Sequence, residues 1–303
     1  MTDSTVSAPR ANAGPRPDRR HWGGWAMAGI PALVAAWVVF YPLLYNLWTS
    51  LHVNRLSAED GAWAGLKNFS QLIQFGDLAG TLGRTLVWTV GCLIFQGLIG
   101  FVLALALDRP GRGIGLVRTL LLSPWVMPGI VIAGVWTTIF NPIGGLANGL
   151  LSLLGIPGHD WLGDPNTALP SLILVNVWKG FSFWMLMLGA GLKGISQELY
   201  EAASIDGASY FQRVRYIVLP GLRNIFVLTA VLAFIWTFNY ADLSYAMTHG
   251  GPGNATTILA FNIYKLSFVY NRFDQGSALS LISFLLMAIA IGFYAWASRR
   301  RHS

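Results

Sequence analysis

The sequence predicts an all-α integral membrane protein with six transmembrane helices and both termini in the cytoplasm. Of its 303 residues, 54% are hydrophobic and only 11% are charged, and the apolar residues are gathered in six long runs. An ordinary soluble domain carries roughly 25% charged residues. A helix that crosses a bilayer needs about 20 mostly uncharged residues, because its backbone polar groups must bond within the helix. Soluble helices keep one polar face, which most of these runs lack.

The six runs define the predicted domain organisation. They lie at about 25–47, 85–107, 119–140, 170–192, 224–247 and 277–297. Together they form a transmembrane domain over 25–297, flanked by basic tails at 1–24, which we expect to be disordered, and at 298–303. The first run is longer than the apolar core of a signal peptide, which favours an uncleaved anchor. The fifth run is the weakest, because it carries Asn239 and Asp242.

The basic residues predict the orientation of the spans. Cytoplasmic loops carry an excess of Lys and Arg. Fourteen basic residues lie in the two tails and in the second and fourth loops, whereas the opposite side holds only five. Those five are Arg55, Lys67, Arg84, Lys265 and Arg272. Because the cations are spread over four segments that flank the membrane, the net charge of +7 indicates topology and contact with membrane lipid, and no nucleic-acid partner.

The fourth loop contains a polar segment, 196–220, with more pattern than a simple connection needs. Ser196 and Ser209 can each cap a short helix. Between these helices Gly207 tolerates a left-handed turn, and Pro220 is expected to end the second helix. The sequence therefore predicts a cytoplasmic helix–turn–helix element near the membrane surface.

Eight residues of this segment keep a characteristic order, which is Glu201, Ala202, Ala203, Asp206, Gly207, Ile217, Leu219 and Pro220. This order resembles the EAA loop of the membrane-spanning permease subunits of binding-protein-dependent ABC importers. Four further stretches, 41–51, 65–72, 147–180 and 248–256, are similar to the carbohydrate-uptake subgroup of that family, of the MalF and UgpA type.

The resemblance implies a type I ABC importer permease fold in the bacterial plasma (inner) membrane. It implies that 196–220 is the coupling loop, which inserts into a groove on a separate ATPase. The expected partners are a second, homologous permease subunit, two ATP-binding subunits and an extracytoplasmic solute-binding protein. ATP and Mg would be used by the partner ATPase, with no cofactor bound by this chain. The expected cargo is a sugar or related polyol, such as an oligosaccharide, a disaccharide or a glycerol-phosphate-like solute.

Residues for catalysis or metal binding are sparse in the sequence. An ATP-hydrolysing domain would need Gly-Lys in a phosphate-binding loop, and this dipeptide does not occur. The five histidines are scattered over tails and loops, and the thirteen acidic residues are too dispersed for a membrane enzyme. We therefore expect a transport subunit that is not itself an enzyme. The single cysteine, Cys92, lies in an apolar run and is expected to pack there.

Two ionisable residues inside the predicted spans are candidates for function, since charge in a membrane is costly. Lys179 shares a helical face with Asn176 and Phe183. The spacing predicts that Asp242 shares another face with Phe238 and Tyr245, beside Asn239. These seven residues are the candidate substrate path. The alternative is that Lys179 and Asp242 form a structural ion pair or bond to backbone groups between helices.

A proton-coupled secondary carrier that uses Asp242 is the alternative function. Such carriers usually show an internal repeat, and the two halves of this chain do not look alike. Among the small residues of the spans, Gly97, Gly100, Gly129 and Gly134 are expected to allow close helix packing.

Overall fold

The computed structural model describes residues 20–53, 61–109 and 111–299. These residues form two compact units that divide between Asn46 and Leu47. Their helices are α1 (Arg20–Ser50), α2 (Lys67–Phe75), α3 (Leu78–Leu107), α4 (Ile114–Val126), α5 (Gly129–Ile139), α6 (Leu146–Leu153), α7 (Pro165–Leu192), α8 (Gln197–Ile205), α9 (Tyr210–Arg213), α10 (Leu219–Phe238), α11 (Leu259–Tyr264) and α12 (Phe273–Arg299). Wider π-helical turns cover Val214–Val218, Ser244–Thr248 and Lys265–Val269.

Five helical segments of the described residues are long and apolar enough to cross a membrane. They are α1, α3, α7, α12 and a continuous segment, Tyr210–Phe238, that joins α9 to α10. The pair α4 and α5 makes a sixth span if it is counted as one. The all-α, multi-pass fold class that the composition predicts is therefore confirmed.

The first compact unit is the amino-terminal part of α1. Three aromatic side chains stack along one face of this helix at a spacing of four residues. The ring centroids of Trp37 and Tyr41 are 5.2 Å apart, and those of Tyr41 and Tyr45 are 6.2 Å apart. Residues 20–24, which we expected to belong to a disordered tail, are helical, and the remainder of that tail lies outside the described residues.

The third predicted run, 119–140, is not one straight helix. It corresponds to α4 and α5, which are bent by 98° at Met127 and Pro128. Met127 is extended, with φ −67° and ψ 138°, because a residue before proline is disfavoured in helical geometry. Hydroxyl groups donate to two carbonyl groups of α4 just before the break. Ser123 Oγ donates at 2.7 Å to Leu120 O, whose usual donor four residues on would be Pro124, and Ser182 Oγ of α7 donates to Leu121 O at 2.5 Å.

The prediction that Pro220 ends its helix is wrong. Pro220 sits in the first turn of α10, and the helix axis continues from Tyr210 to Phe238. Proline cannot donate the backbone hydrogen bond of an interior helical residue. The wider turn at Val214–Val218 immediately before it changes the hydrogen-bond register, with Leu219 N bonded to Val214 O, and this accommodates the proline. The fifth span, which the sequence predicts at 224–247, is therefore found closer to the amino terminus, at Tyr210–Phe238.

Helices α3 and α7 pack closely at two glycines of α3. A Cβ on Gly97 would lie 3.4 Å from the ring of Trp184, and a Cβ on Gly100 would collide with the Trp184 side chain and the α7 backbone. Trp88 and Cys92 of α3 are fully buried in the same interface. Gly97 and Gly100 thus act as the close-packing positions that the sequence predicts, whereas a Cβ on Gly134 would meet no described atom within 4 Å.

We expect Gly100→Leu to destabilise the membrane domain by about 1–3 kcal/mol, because the added atoms must displace Trp184 or the α7 backbone. The measurement is the thermal unfolding midpoint of the purified protein in detergent. Gly134→Leu is the matched control, because that position is open, and equal destabilisation by both changes would contradict this packing.

Candidate functional site

The loop between α7 and α10 presents its acidic helix, α8, to the solvent. Ser196 begins this helix, and its Oγ accepts a hydrogen bond from Glu198 N at 3.3 Å. Glu201 lies on the exposed side, where Gln197 Nε2 donates to its Oε1 at 3.1 Å. Ala202 is exposed and Ala203 is half-buried. The first helix of the predicted element is therefore present, with a free outer surface.

A glycine turn joins α8 to the second helix of the loop. Gly207 has φ +72°, a left-handed conformation, and lies beside the exposed Asp206. The next residue closes the turn, with Ala208 N donating to Ala203 O at 2.9 Å. Ser209 then starts the second helix through reciprocal bonds with Gln212, in which Ser209 N donates to Gln212 Oε1 at 2.7 Å.

The inner surface of the loop is anchored to the transmembrane helices. Ile195 and Tyr200 pack against a buried cluster that includes Leu192, Val218 and Leu222. Burial raises the pKa of the Tyr200 hydroxyl, and the nearby carboxylate of Asp108 at the end of α3 raises this pKa further. The loop is therefore held at its base against α7, α10 and the cytoplasmic end of α3.

The outer surface of the loop is more apolar than its sequence pattern indicates. Ile205 is 88% exposed and Phe211 is 82% exposed. Both side chains flank the turn at Gly207. Their apolar character inside an otherwise polar segment is the sequence feature that could have indicated an apolar outer surface. The remaining loop positions follow in the continuous helix, where Ile217 is half-buried and Leu219 and Pro220 are exposed.

A cavity of about 520 Å³ lies between α7 and α10, and its lining includes residues of α3 and α4. Four of the seven predicted path residues line it, namely Asn176, Lys179, Phe183 and Asn239. The lining residues that the sequence pattern did not reveal are Gln96, Trp125, Gly180, Ala233, Ile235, Trp236, Thr237 and Tyr240. Trp125 lies next to a proline and Tyr240 lies between Asn and Ala, but neither context by itself indicates a cavity.

Aromatic rings form much of the cavity wall. Trp125 stacks on Phe183, with ring centroids 5.8 Å apart and planes at 25°. Phe183 also meets Trp236 in a T-shaped contact at 4.8 Å. These three rings come from α4, α7 and α10, so the wall requires all three helices to meet. Rings of this kind offer flat apolar surfaces beside polar groups.

Lys179 supplies the positive charge of the cavity. Its Nζ donates a hydrogen bond to Tyr240 Oη at 3.0 Å and lies 4.7 Å from the centroid of the same ring. Among the described residues Lys179 forms no salt bridge with Asp242. The Asp242 carboxylate instead lies beside the start of α5, where a Cβ on Gly129 would be 2.6 Å from Oδ2 and would also collide with the Tyr240 hydroxyl.

Three of the predicted path residues, Phe238, Asp242 and Tyr245, do not line the cavity. The structure therefore does not form the second helical face that the sequence predicts. The helix ends at Phe238, so the spacing of Phe238, Asp242 and Tyr245 does not place them together. Phe238 is buried in a cluster with Leu259 and Leu279. Asp242 is exposed, and the Tyr245 ring contacts Tyr264 at 5.1 Å.

Asn176 has a structural contact as well as its place in the lining. It is buried, and its Nδ2 donates to Cys92 Sγ at 3.2 Å, while its backbone carbonyl accepts from Gln96 Nε2 at 3.0 Å. In the part of the chain that the structure describes, no three His, Cys, Asp or Glu side chains are grouped to hold a metal ion.

The fold and the two sites define a multi-pass membrane transport component with an exposed cytoplasmic loop. The chain belongs to the family of binding-protein-dependent transport system inner membrane components, whose model matches residues 96–303. It is therefore an inner-membrane protein of the ABC importer permease class, as the EAA resemblance implies.

Named relatives span most of the chain. It is 34% identical to the trehalose/maltose transport system permease protein MalF of Thermococcus litoralis, over 85% of this chain and 88% of that protein. It is 30% identical to the sulfoquinovosyl glycerol transport system permease protein SmoG of Agrobacterium fabrum, over 87% of this chain and 86% of that protein. A bacterial ABC transporter involved in the import of the acidic polysaccharide alginate has the same fold, with a TM-score of 0.81, 23% identity, and coverage of 93% of this chain and 96% of that chain.

We expect Gly207→Val to unfold the turn between α8 and α9, because a β-branched residue is strained at φ +72°. The measurement is hydrogen–deuterium exchange of peptides covering 197–213, with faster exchange as the expected result. Gly207→Asn is the matched control, since asparagine tolerates this conformation. Unchanged exchange in the valine variant would contradict the role of this turn.

Proposed function

We propose that this chain is the permease subunit of an ATP-driven importer that carries a sugar or related polyol into the cytoplasm. The observation that carries the proposal is the continuous helix Tyr210–Phe238, which links the exposed coupling loop to the wall of an aromatic cavity. The family supplies the class of transporter, and the names of several relatives supply the class of cargo.

The helix Tyr210–Phe238 provides a mechanical connection between the two sites. Its 29 residues correspond to a length of about 43 Å at 1.5 Å per residue. It begins at the turn after Gly207 and ends near the cavity residues Trp236 and Thr237. Movement of the loop would therefore tilt one wall of the cavity, while α7 forms the opposite wall. Such a motion is a rigid-body switch between inward-facing and outward-facing states.

The proposed assembly contains a second, homologous permease and two copies of an ATP-binding subunit. ATP and Mg would be bound by those subunits, and ATP binding would bring them together. The apolar residues Ile205 and Phe211 and the acidic residue Glu201 provide a surface for docking in an ATPase groove. An extracytoplasmic solute-binding protein would deliver the cargo, in keeping with the family description. This chain would contribute no catalytic residue.

The cavity chemistry supports a sugar or polyol cargo. Trp125, Phe183 and Trp236 offer faces on which the apolar side of a sugar ring can stack. Lys179 and Asn239 provide polar groups nearby for hydroxyl oxygens. A disaccharide, an oligosaccharide unit or a glycerol-phosphate-like solute fits this chemistry. Asp242, which a proton-coupled carrier would use, lies outside the cavity lining, so the geometry favours the importer.

The coupling role is tested by purifying tagged protein from its native host and identifying the associated chains. We expect wild type to carry an ATPase subunit and a second permease, and Glu201→Lys to lose most of the ATPase because the charge of the docking helix is reversed. Gly207→Asp is expected to have the same effect. Arg112→Glu is the control, since it reverses an exposed charge in the other cytoplasmic loop. An ATPase that stays bound to both loop variants would argue against coupling at this site.

Uptake of labelled sugar tests the cavity. Trp236→Ala should raise the KM about two- to tenfold, since loss of one stacking contact costs roughly 0.5–1.5 kcal/mol. Trp236→Phe should keep most of the affinity. Trp236 is 50% exposed, so the fold should tolerate both changes. The matched control is Phe293→Ala, at an aromatic residue of α12 that is 67% exposed and outside the cavity. Equal KM values for Trp236→Ala and Phe293→Ala would contradict a cargo site here.

A further inference from the structure

A second cavity of about 470 Å³ opens at the outer end of the molecule, away from the sugar cavity. Its walls come from α2, the start of α3, the loop before α11 and the segment that joins α11 to α12. We call it the outer cleft and define it by six lining residues, Phe75, Asp77, Arg84, Lys265, Tyr270 and Arg272. None of its lining residues also lines the sugar cavity.

The charge of the outer cleft is only partly balanced. Arg84 is structural, because its Nη2 pairs with Asp77 Oδ2 at 2.8 Å and its Nε donates to Thr257 O at 3.0 Å. Lys265 Nζ donates to the neutral Asn254 Oδ1 at 3.2 Å. The Arg272 guanidinium has no hydrogen bond or salt bridge with any described residue. Two cations of the lining therefore lack an acidic partner within the described part of the chain.

The position of these cations is unusual for the topology. Basic residues are disfavoured on the outer side of an inner-membrane protein. Only five occur there in this sequence, yet Arg84, Lys265 and Arg272 come together in one cleft from distant parts of the chain. The fold brings an excess of positive charge to a single outer site. The resulting positive electrostatic potential attracts an anionic group.

The rest of the cleft resembles a protein-binding site more than a cargo site. Exposed aromatic side chains, Phe75 and Tyr270, accompany the arginines, and aromatic residues with Arg are typical of protein interfaces. Each of the four lining amides makes a hydrogen bond within the protein through one of its two polar atoms, as in the bond from Gln275 Nε2 to Gln71 Oε1 at 2.7 Å.

We propose that the outer cleft receives an acidic side chain of the extracytoplasmic solute-binding protein, with Arg272 and Lys265 as its carboxylate partners and Phe75 and Tyr270 at the rim. This inference rests on the proposed function, which supplies the kind of partner. The cleft fixes where that partner docks, and Arg84 holds the cleft together through its bonds to Asp77 and Thr257.

The test uses the whole transporter in lipid nanodiscs and, as probe, the purified solute-binding protein that supports uptake through this permease. Arg272→Glu should raise the Kd for this protein at least about tenfold and flatten its dependence on salt. Arg272→Gln should cause a smaller rise in this Kd. Because it removes the charge without reversing it, it tests the same contact if Arg272→Glu fails to fold. Lys67→Glu is the matched control, because it reverses an exposed charge on the same side outside the cleft, and should change the Kd less than about twofold.

Reversal of the partner's charge completes the test. An Asp→Lys or Glu→Lys change in the solute-binding protein should restore binding to Arg272→Glu and weaken binding to wild type. Three results would overturn the proposal: a Kd unchanged by both Arg272 variants, lower sugar uptake with an unchanged Kd, or a Kd effect that appears only with anionic lipid. A wild-type transporter with no ATP-driven uptake would overturn the proposed function itself, whereas normal wild-type uptake with an unaffected Arg272→Glu would overturn only this docking site.

Discussion

The structure depends on satisfying backbone polar groups where helices break inside the membrane. Lipid offers no hydrogen bonds, so irregular backbone is tolerated only where protein or a cavity provides partners. One break lies at Met127 and Pro128, and another follows Phe238. The two breaks meet, because Tyr240 and Asp242 of the second lie against Gly129 at the start of α5.

Donors from the neighbouring long helices hold these breaks in place. Trp88 of α3 donates from Nε1 to Thr237 O at 2.9 Å, close to the end of α10. Ser182 of α7 donates to Leu121 O in α4. Because these donors are rigidly placed by the α3–α7 interface, a close-packed pair of helices supports the irregular backbone around the cavity. The same arrangement brings Lys179 within hydrogen-bond distance of the Tyr240 hydroxyl. This bond stabilises the charge of Lys179 and also the segment that follows the end of α10.

This arrangement joins a close-packed pair of helices to the helix that leads from the loop. α3 and α7 interlock at Gly97, Gly100 and Trp184, and such close packing resists deformation. The helix Tyr210–Phe238 packs against this pair along its length, with Leu222 and Ala233 in one buried cluster with Trp184, and with Thr237 O accepting from Trp88 Nε1 near its end. A force applied to the loop would therefore reach both the cavity and the α3–α7 pair. The wide turn before Pro220 keeps this connection continuous, since a helix that stopped there would not transmit the movement.

The sequence by itself determined the all-helical membrane fold and the two short helices with a glycine turn at 196–213, because these follow from local properties. Long apolar runs favour lipid whatever surrounds them, and Ser196, Gly207 and Ser209 act through neighbouring backbone groups. Only the tertiary structure decided whether a proline stops a helix, since Pro128 bends the chain and Pro220 does not. It also decided which polar residues share a cavity. In the described ranges, Lys179 makes its hydrogen bond to Tyr240 and no salt bridge with Asp242, which lies beyond the end of α10 at Phe238. The donor to the Thr237 carbonyl group comes from α3, which periodicity along the chain does not reveal.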